Sequence, residues 1–352
     1  MVNGPLLFEM QKLMPTKLLP AGSRKAVFFA GMILIMFSGC RINPLALPFQ
    51  PSSTETPTST ATPVPSPSTV PTSTALPQPT KQVFKNIPYL QEAGVDPNLI
   101  SLDIYTPASF GLHPVIVMIH GGSWSGGDKG TLVVAGTKSQ FFTDNGYVFV
   151  SINYQLSPKV IFPEHVEDVA AALEWLTLHI SDYGGDPGEL YVMGHSAGGQ
   201  LAALVVTDPR YLSIFNLTPG DIRGVILLDA AGLDIPGTMS PSLKFTYTNA
   251  FGPNPQTWVK ASPVNYVAPD KAIPPFLVCY TYQVVPFTQS SQEFAGKLAS
   301  AGVKVWEYGT SQKTHASIND DVGTLNDPVT ELIMLFLEET LPGTHPGPII
   351  WK

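Results

Sequence analysis

Six short runs of almost unbroken apolar residues follow residue 82, and their alternation with amphipathic segments limits the possible folds more than any other feature. A strand that is apolar on both faces must be covered on both faces, as the strands of a parallel sheet are. The pattern therefore predicts an α/β fold with a doubly wound, mostly parallel sheet and helices on both faces. The runs are PVIVMIH (114–120), YVFVSINY (147–154), ELYVMGH (189–195), GVILLDA (224–230), PPFLVCY (274–280) and VKVWEYG (303–309).

Two of the intervening segments have a clear helical period. HVEDVAAALEWLTLHI (165–180) places apolar residues at spacings of three and four, and the glycines of YGGDP follow it. DPVTELIMLFLEETL (327–341) has Pro328 near its start, where proline fits the first turn of a helix. Each segment is long enough to cover one side of the sheet.

Residues 1–40 have the organisation of an export signal. Arg24 and Lys25 precede the uncharged run AVFFAGMILIMF, and FSGC ends at Cys40. The run is too short to span a bilayer, which needs about 20 residues. The end of the segment resembles a bacterial lipoprotein signal, which implies cleavage before a lipidated Cys40. Phe37 departs from that signal, so an ordinary cleaved signal and an uncleaved anchor remain alternatives.

Residues 41–82 are predicted to be a disordered linker, and residues 83–352 a single catalytic domain. Pro, Ser and Thr make up 23 of the 30 residues from 51 to 80, so this segment cannot bury a core. The expected location is extracytoplasmic, with the protein anchored to a bacterial membrane as a lipoprotein or else secreted. A net charge of −8 and the absence of a basic block argue against a nucleic-acid partner.

The sequence GHSAG (194–198) lies between a predicted strand and a predicted helix. This G-x-S-x-G pattern in that context is typical of a sharp turn that lifts the serine hydroxyl out of the sheet. The turn also directs the backbone N–H of Ala197 toward the place where an oxyanion would form. Ser196 is therefore a candidate nucleophile, and Ala197 is a candidate oxyanion-hole residue.

A second glycine turn follows the strand that ends at His120. Gly121 and Gly122 leave their backbone N–H groups unobstructed by side chains, as the other half of an oxyanion hole requires. An ordinary glycine turn is the alternative.

A serine hydroxyl needs a base, and the chain contains seven histidines. His315 lies in GTSQKTHASIND, between the last predicted strand and the last helix, where a base would cross the sheet edge to reach Ser196. His195 is expected to point sideways into packing and His120 to be structural. The others lie before a strand, on a helix or in the tail: His113, His165, His179 and His345.

These segments resemble the α/β-hydrolase superfamily over residues 83–342. HGGSWSGGDKG, INYQLSP, FPEHVEDVAAALEWL and YGGDPGELYVMGHSAGGQLAAL are similar to its carboxylesterase branch, which includes feruloyl and acetylxylan esterase-like and arylformamidase-like enzymes. The resemblance implies Ser196 as nucleophile, His315 as base, and Gly121, Gly122 and Ala197 as the oxyanion hole.

The chain departs from that family at the third catalytic residue. The family usually places an aspartate after the penultimate strand, where CYTYQVVPFTQ has Tyr282 and Gln283 instead. Some lipases carry the acid one strand earlier, where LLDAAGLDIP offers Asp229, with Asp234 behind it. If neither serves, a carbonyl or water would orient His315.

Residues 235–262 interrupt the alternation and contain several aromatic residues. They are expected either to wall an apolar pocket above Ser196 or to form a small satellite core. The aromatic residues are Phe245, Tyr247, Phe251 and Trp258.

The expected function is that of a membrane-tethered serine hydrolase acting on a small-molecule or polysaccharide-linked ester through an acyl-enzyme. No metal or cofactor is implied, because no ligand spacing or phosphate-binding glycine pattern is found. Two alternatives remain. One is an amide hydrolase of the arylformamidase kind, and the other is a binding protein that kept the hydrolase shape without full activity.

Overall fold

The computed structural model describes residues 79–341. The predicted signal segment with Cys40, nearly all of the predicted linker and His345 lie outside the described residues. None of the helices within residues 79–341 has the length and hydrophobicity that crossing a bilayer requires.

Residues 79–341 form an eight-stranded sheet in the order β1-β2-β4-β3-β5-β6-β7-β8. In this order, each pair of neighbours from β4 through β3, β5, β6 and β7 to β8 is parallel. At the other edge, β1 pairs antiparallel with β2, and β2 pairs antiparallel with β4. The predicted mostly parallel sheet is confirmed. The strands are β1 (Val83–Pro88), β2 (Ser101–Tyr105), β3 (His113–Ile119), β4 (Val148–Ile152), β5 (Gly185–His195), β6 (Ile222–Leu228), β7 (Phe276–Thr281) and β8 (Val305–Thr310).

The six predicted strands are β3 to β8, and the sequence analysis missed β1 and β2. Polar residues interrupt the apolar ones in both strands: β1 has the sequence VFKNIP and is mostly exposed, and β2 has the buried sequence SLDIY. Asp103 of β2 is buried, and its Oδ1 accepts a hydrogen bond from the backbone N–H of Asn86 at 2.8 Å. Neither strand therefore has the unbroken apolar run by which the other six strands were predicted.

Helices cover both faces of the sheet, as predicted. Alternate residues of β3 show this, because Val115 and Val117 belong to one buried apolar cluster and Ile116 and Met118 to another. The helices are α1 (Ser139–Asp144), α2 (Glu164–His179), α3 (Ala197–Thr207), α4 (Pro209–Ser213), α5 (Ile235–Thr238), α6 (Lys244–Phe251), α7 (Pro255–Lys260), α8 (Val285–Ser300), α9 (Ser317–Asp320) and α10 (Pro328–Thr340).

The insertion at 235–262 carries α5, α6 and α7, and its buried aromatic residues join the main apolar core on one face of the sheet, so the predicted separate satellite core is not found. Tyr247 and Phe251 are buried and pack against the indole of Trp124, with ring centroids 5.9 and 4.8 Å away. The indole N–H of Trp258 donates to the carbonyl of Gly252 at 2.8 Å. Phe245 is the exception, since 81% of it is exposed.

Asp168 of α2 is a buried acid that holds the segment after β4. Its carboxylate accepts hydrogen bonds from the backbone N–H of Gln155 at 2.7 Å and from the Gln155 side chain at 3.3 Å. Burial raises the pKa of Asp168 to about 7, and these two bonds offset only part of that effect. The folded protein therefore holds the proton of the Asp168 carboxyl more tightly than the unfolded chain does. The contribution of Asp168 to the free energy of unfolding is present at low pH and is lost as the pH rises through 7.

We expect Asp168→Asn to remove this pH dependence, because asparagine keeps an acceptor for the Gln155 amide and carries no charge. Relative to the original protein, the variant should gain roughly 2 to 4 kcal/mol in free energy of unfolding between pH 4 and pH 8. Urea unfolding at a series of pH values measures this difference. Glu331→Gln, which replaces an exposed glutamate on α10, is the control. Curves for Asp168→Asn that run parallel to the original would contradict the expectation.

Candidate active site

Ser196 lies at a strained turn between the end of β5 and the start of α3. Its backbone has φ 52° and ψ −119°, a conformation that residues other than glycine rarely adopt. The Ser196 N–H donates to the carbonyl of Leu228 at 3.1 Å, and the Ser196 carbonyl accepts from the N–H of Ala231 at 3.0 Å. Both bonds tie the turn to the end of β6.

The two glycines of GHSAG are required by close backbone approaches. A Cβ on Gly198 would overlap the carbonyl oxygen of Ile119 at the end of β3, and a Cβ on Gly194 would overlap the carbonyl oxygen of Gly198. Glycine at these positions lets the first turn of α3 lie directly against the ends of β3 and β5. The sharp turn expected from the motif is therefore present, and both positions need glycine because a larger side chain would not fit.

The loop after β8 brings His315 to Ser196. The Nε2 atom of His315 lies 3.0 Å from the Ser196 hydroxyl oxygen, and its Nδ1 atom lies 2.7 Å from Oδ2 of Asp229. These residues are 119 and 86 positions from His315 in the sequence. The structure thus places a hydroxyl, an imidazole and a carboxylate in one hydrogen-bonded row.

Asp229, rather than Asp234, is the acid beside His315. Asp229 follows β6 and is fully buried, and its carboxylate accepts from the N–H of Thr281 at 2.9 Å and from the Thr281 hydroxyl at 3.0 Å. With the bond from His315, three hydrogen-bond donors surround this carboxylate. Asp234 lies at the start of α5 and is hydrogen-bonded through its carbonyl to Thr238.

The usual place of the family's acid is taken by side chains with other contacts. Tyr282 is half exposed, and the Oε1 atom of Gln283 accepts the backbone N–H of His315 at 2.9 Å. Gln283 therefore fixes the main chain of the His315 loop, while the carboxylate reaches the imidazole from the neighbouring strand. The sequence analysis did not identify Gln283 or Thr281 as site residues, because neither carries a charge.

The glycine pair after β3 lies against the serine turn. A Cβ on Gly121 would come within 3.1 Å of the Ser196 Cβ and 2.9 Å of the His195 Nδ1. Gly122 has φ 121°, and its carbonyl accepts the N–H groups of Ser125 and Gly126, both at 3.0 Å. Ala197 is the first residue of α3, where backbone N–H groups have no acceptor within the helix. Gly121 and Ala197 therefore lie next to Ser196, and Gly122 follows Gly121 in the same turn.

His195 has a contact that the sequence analysis missed. It packs beside the serine turn as expected, but its Nε2 also lies 2.8 Å from the carbonyl oxygen of His315, so Nε2–H is the donor. The two imidazole rings are 4.8 Å apart. His120 is structural, as predicted, because it is buried and stacks on Tyr154 at 4.5 Å.

This arrangement has the parts of a base-activated nucleophile. Nε2 of His315 can accept the Ser196 proton, and the carboxylate of Asp229 can stabilise the resulting imidazolium. Within residues 79–341, no group of three or more histidine, cysteine or acidic side chains is arranged to hold a metal ion.

The imidazole of His195 should stay neutral over the whole range in which a serine–histidine pair works. Burial, followed by the proximity of His315, lowers the pKa of His195 to about 4. Histidine NMR spectra recorded against pH measure this, and His195→Asn identifies the resonance by its loss. A His195 midpoint above pH 5.5 would contradict the expectation.

Comparison with known proteins was made for sequence and for structure. The model of the BD-FAE family matches residues 102–213. The probable carboxylic ester hydrolase LipM of Mycobacterium tuberculosis is 30% identical over 257 residues, which cover 68% of this chain and 58% of LipM. Esterase LipQ of the same organism is 30% identical over 242 residues, 64% of this chain and 55% of LipQ. The chain thus spans little more than half the length of these relatives.

Solved structures of esterases share the fold. A truncated carbohydrate esterase from gut microbiota superposes with a TM-score of 0.61 at 19% identity, over 75% of this chain and 99% of that one. Esterase B of Lactobacillus rhamnosis superposes with a TM-score of 0.60 at 21% identity, over 74% of this chain and 85% of that one.

The sheet order, the glycine-flanked serine turn and the sequence relatives agree with one another. The chain belongs to the α/β-hydrolase superfamily, in its carboxylesterase branch.

Proposed function

We propose that this protein is a serine hydrolase that cleaves carboxylic esters through an acyl-enzyme. The observation that carries the proposal is the row of hydrogen bonds from Ser196 through His315 to Asp229, at 3.0 and 2.7 Å. The proposal is also supported by LipM and LipQ, whose names describe a carboxylic ester hydrolase and an esterase.

The reaction has two halves. The Ser196 hydroxyl oxygen attacks the ester carbonyl while Nε2 of His315 takes the hydroxyl proton, and this proton then passes to the departing alcohol. In the second half His315 takes a proton from water as the water oxygen attacks the acyl-serine. His315 then returns that proton to the Ser196 oxygen as the acid leaves, which restores the free serine and the neutral imidazole. The carboxylate of Asp229 stabilises the imidazolium in both halves.

The negative charge that develops on the carbonyl oxygen needs donors that are already in position. The proposed donors are the backbone N–H groups of Gly121, Gly122 and Ala197. Gly121 lies against the Ser196 turn, and Ala197 begins α3 and so adds the positive end of that helix. These donors stabilise the tetrahedral intermediate more than the flat ester. They are therefore the groups expected to lower the barrier.

The proposed substrate is a small or moderate ester, either free or attached to a polysaccharide. One structural neighbour is described as a carbohydrate esterase, which supports the polysaccharide-linked form. An amide of the arylformamidase kind is the second candidate, since the same groups can protonate an amine. The carboxylate beside His315 favours a competent enzyme over an inactive binding protein.

The proposed location is the outer side of a bacterial membrane, with a lipidated Cys40 as the anchor and residues 41–82 as a tether. The support is the charged start, the apolar run and the FSGC ending of residues 1–40, followed by the Pro, Ser and Thr-rich segment.

Ser196→Ala should abolish turnover, because it removes the attacking oxygen and leaves the fold intact. The purified protein is expected to release nitrophenol from a short-chain nitrophenyl ester, and the variant should lose about 10⁵- to 10⁶-fold in kcat. A fluorophosphonate should label the original protein and not the variant.

Ser213→Ala, an exposed serine at the end of α4, is the matched control and should keep full activity. Graded ester and amide substrates decide between the two candidate reactions. Turnover that survives Ser196→Ala, or no labelling and no turnover of either substrate class, would contradict the proposal.

Asp229→Asn should lower kcat by about 10³- to 10⁴-fold, because the amide no longer stabilises the imidazolium and favours the wrong tautomer of His315. Asp234→Asn removes a carboxylate of the same strand-end segment and should change kcat less than about threefold. The measurement is ester turnover at saturating substrate. Equal effects of the two substitutions would mean that Asp229 is not the acid of the triad.

A further inference from the structure

The turn that carries the glycine pair continues into two residues with unusual backbone. Ser123 and Trp124 both have φ 56°, in the left-handed region. For a bulky side chain such as tryptophan this conformation is an outlier that persists only where surrounding contacts hold it. Only 1% of Trp124 is exposed, so its contacts are with the protein interior.

The indole of Trp124 is bound to the helix that begins after Ser196. Its Nε1–H donates to Oε1 of Gln200 at 2.9 Å, and Gln200 lies four residues after Ser196 on α3 with no exposed surface. The carbonyl of Trp124 accepts the N–H of Ser157 at 2.8 Å. Both the side chain and the main chain of Trp124 are therefore fixed.

The Gln200 amide can point in only one direction. Its Oε1 must accept from the indole, which has only a donor, and its Nε2 must donate to the carbonyl of Ala261 at 2.7 Å, which is only an acceptor. The Ala261 carbonyl belongs to the 235–262 insertion, and Tyr247 and Phe251 of that insertion pack on the indole. One glutamine thus joins the glycine turn, the serine helix and the insertion.

We propose that Trp124 and Gln200 are positioning residues for the oxyanion hole, a role that rests on the proposed ester hydrolysis. Donors in an oxyanion hole must lie about 2.7 to 3.1 Å from the developing oxyanion. Two of the proposed donors, Gly121 and Gly122, come from the turn after β3 and the third, Ala197, from the start of α3, which are separate parts of the chain. The Trp124–Gln200 hydrogen bond joins the two halves directly and holds a strained turn that would otherwise relax.

The test uses two variants that remove the Trp124–Gln200 hydrogen bond and keep a large apolar side chain in its place. Trp124→Phe keeps an aromatic ring and removes the indole N–H. Gln200→Met keeps the length of the side chain and removes both hydrogen bonds made by the Gln200 amide. Trp258→Phe is the matched control, because Trp258 also donates its indole N–H to a buried partner, the carbonyl of Gly252, and has no bond to α3. Each full-length variant is assayed for kcat, KM, melting temperature and the rate of fluorophosphonate labelling.

We expect Trp124→Phe and Gln200→Met each to lower kcat about 10- to 100-fold, with KM within about threefold of the original. Labelling should slow by the same factor, because the phosphonyl oxygen uses the same donors. The double variant should be no more than about threefold slower than the worse single variant, because both changes break one link. Trp258→Phe should lower the melting temperature and leave kcat unchanged.

A merely structural role would lower the melting temperature without changing kcat at a temperature where the variant is folded. That result in Trp124→Phe or Gln200→Met would overturn the proposal, as would an equal loss of kcat in Trp258→Phe. If Trp124→Phe does not fold, Gln200→Met alone decides by the same criteria.

The labelling rate separates this proposal from the proposed function. An original protein that is labelled but cleaves no ester contradicts the ester activity, and the labelling rates of the variants still decide the role of Trp124 and Gln200. An original protein with neither labelling nor turnover removes both proposals.

Discussion

The parallel pairing of β3, β5, β6, β7 and β8 is the constraint on which the whole site depends. Parallel strands end at the same edge of a sheet, so the segments after these strands meet there although they are far apart in the sequence. Ser196 follows β5, Asp229 follows β6 and His315 follows β8. The backbone bonds of Ser196 to Leu228 and Ala231 then fix the serine turn to the next strand.

The position of the acid follows from the same sheet. Asp229 follows β6, the neighbour of the strand that carries Ser196, and its carboxylate rests on the N–H and hydroxyl of Thr281 at the end of β7. The neighbouring strand end therefore supplies donors to the acid instead of the acid itself. Gln283 supports the arrangement from the other side through the backbone of His315. Compared with its usual place in the family, the acid lies one strand earlier, after β6, and the imidazole of His315 still has a carboxylate partner.

Burial sets the electrostatics around His315. The carboxylate of Asp229 is buried, is surrounded by three hydrogen-bond donors and faces the place where the imidazolium would form. The neighbouring His195 is held neutral by the same burial, so it supports the His315 carbonyl without adding a competing positive charge. The imidazole of His315 is the one that contacts the Ser196 hydroxyl.

Local patterns in the sequence determined the elements and the candidates. The six apolar runs, the helical periods and the glycines around Ser196 are short-range features, since each reports the conformation of adjacent residues. They indicated the parallel sheet, the serine turn and a base in the loop after the last strand. They did not indicate β1 and β2, because polar residues interrupt the apolar ones in those strands.

Only the tertiary structure decided which acid faces His315 and which uncharged side chains support the site. Asp229 and Asp234 lie five positions apart in one segment and look alike in the sequence, and only the register of β6 against β7 brings the first of them to the imidazole. The contact of His195 with the His315 carbonyl and the contact of Trp124 with Gln200 join residues 120 and 76 positions apart. Contacts across such separations depend on how the elements pack, and no local pattern of residues encodes them.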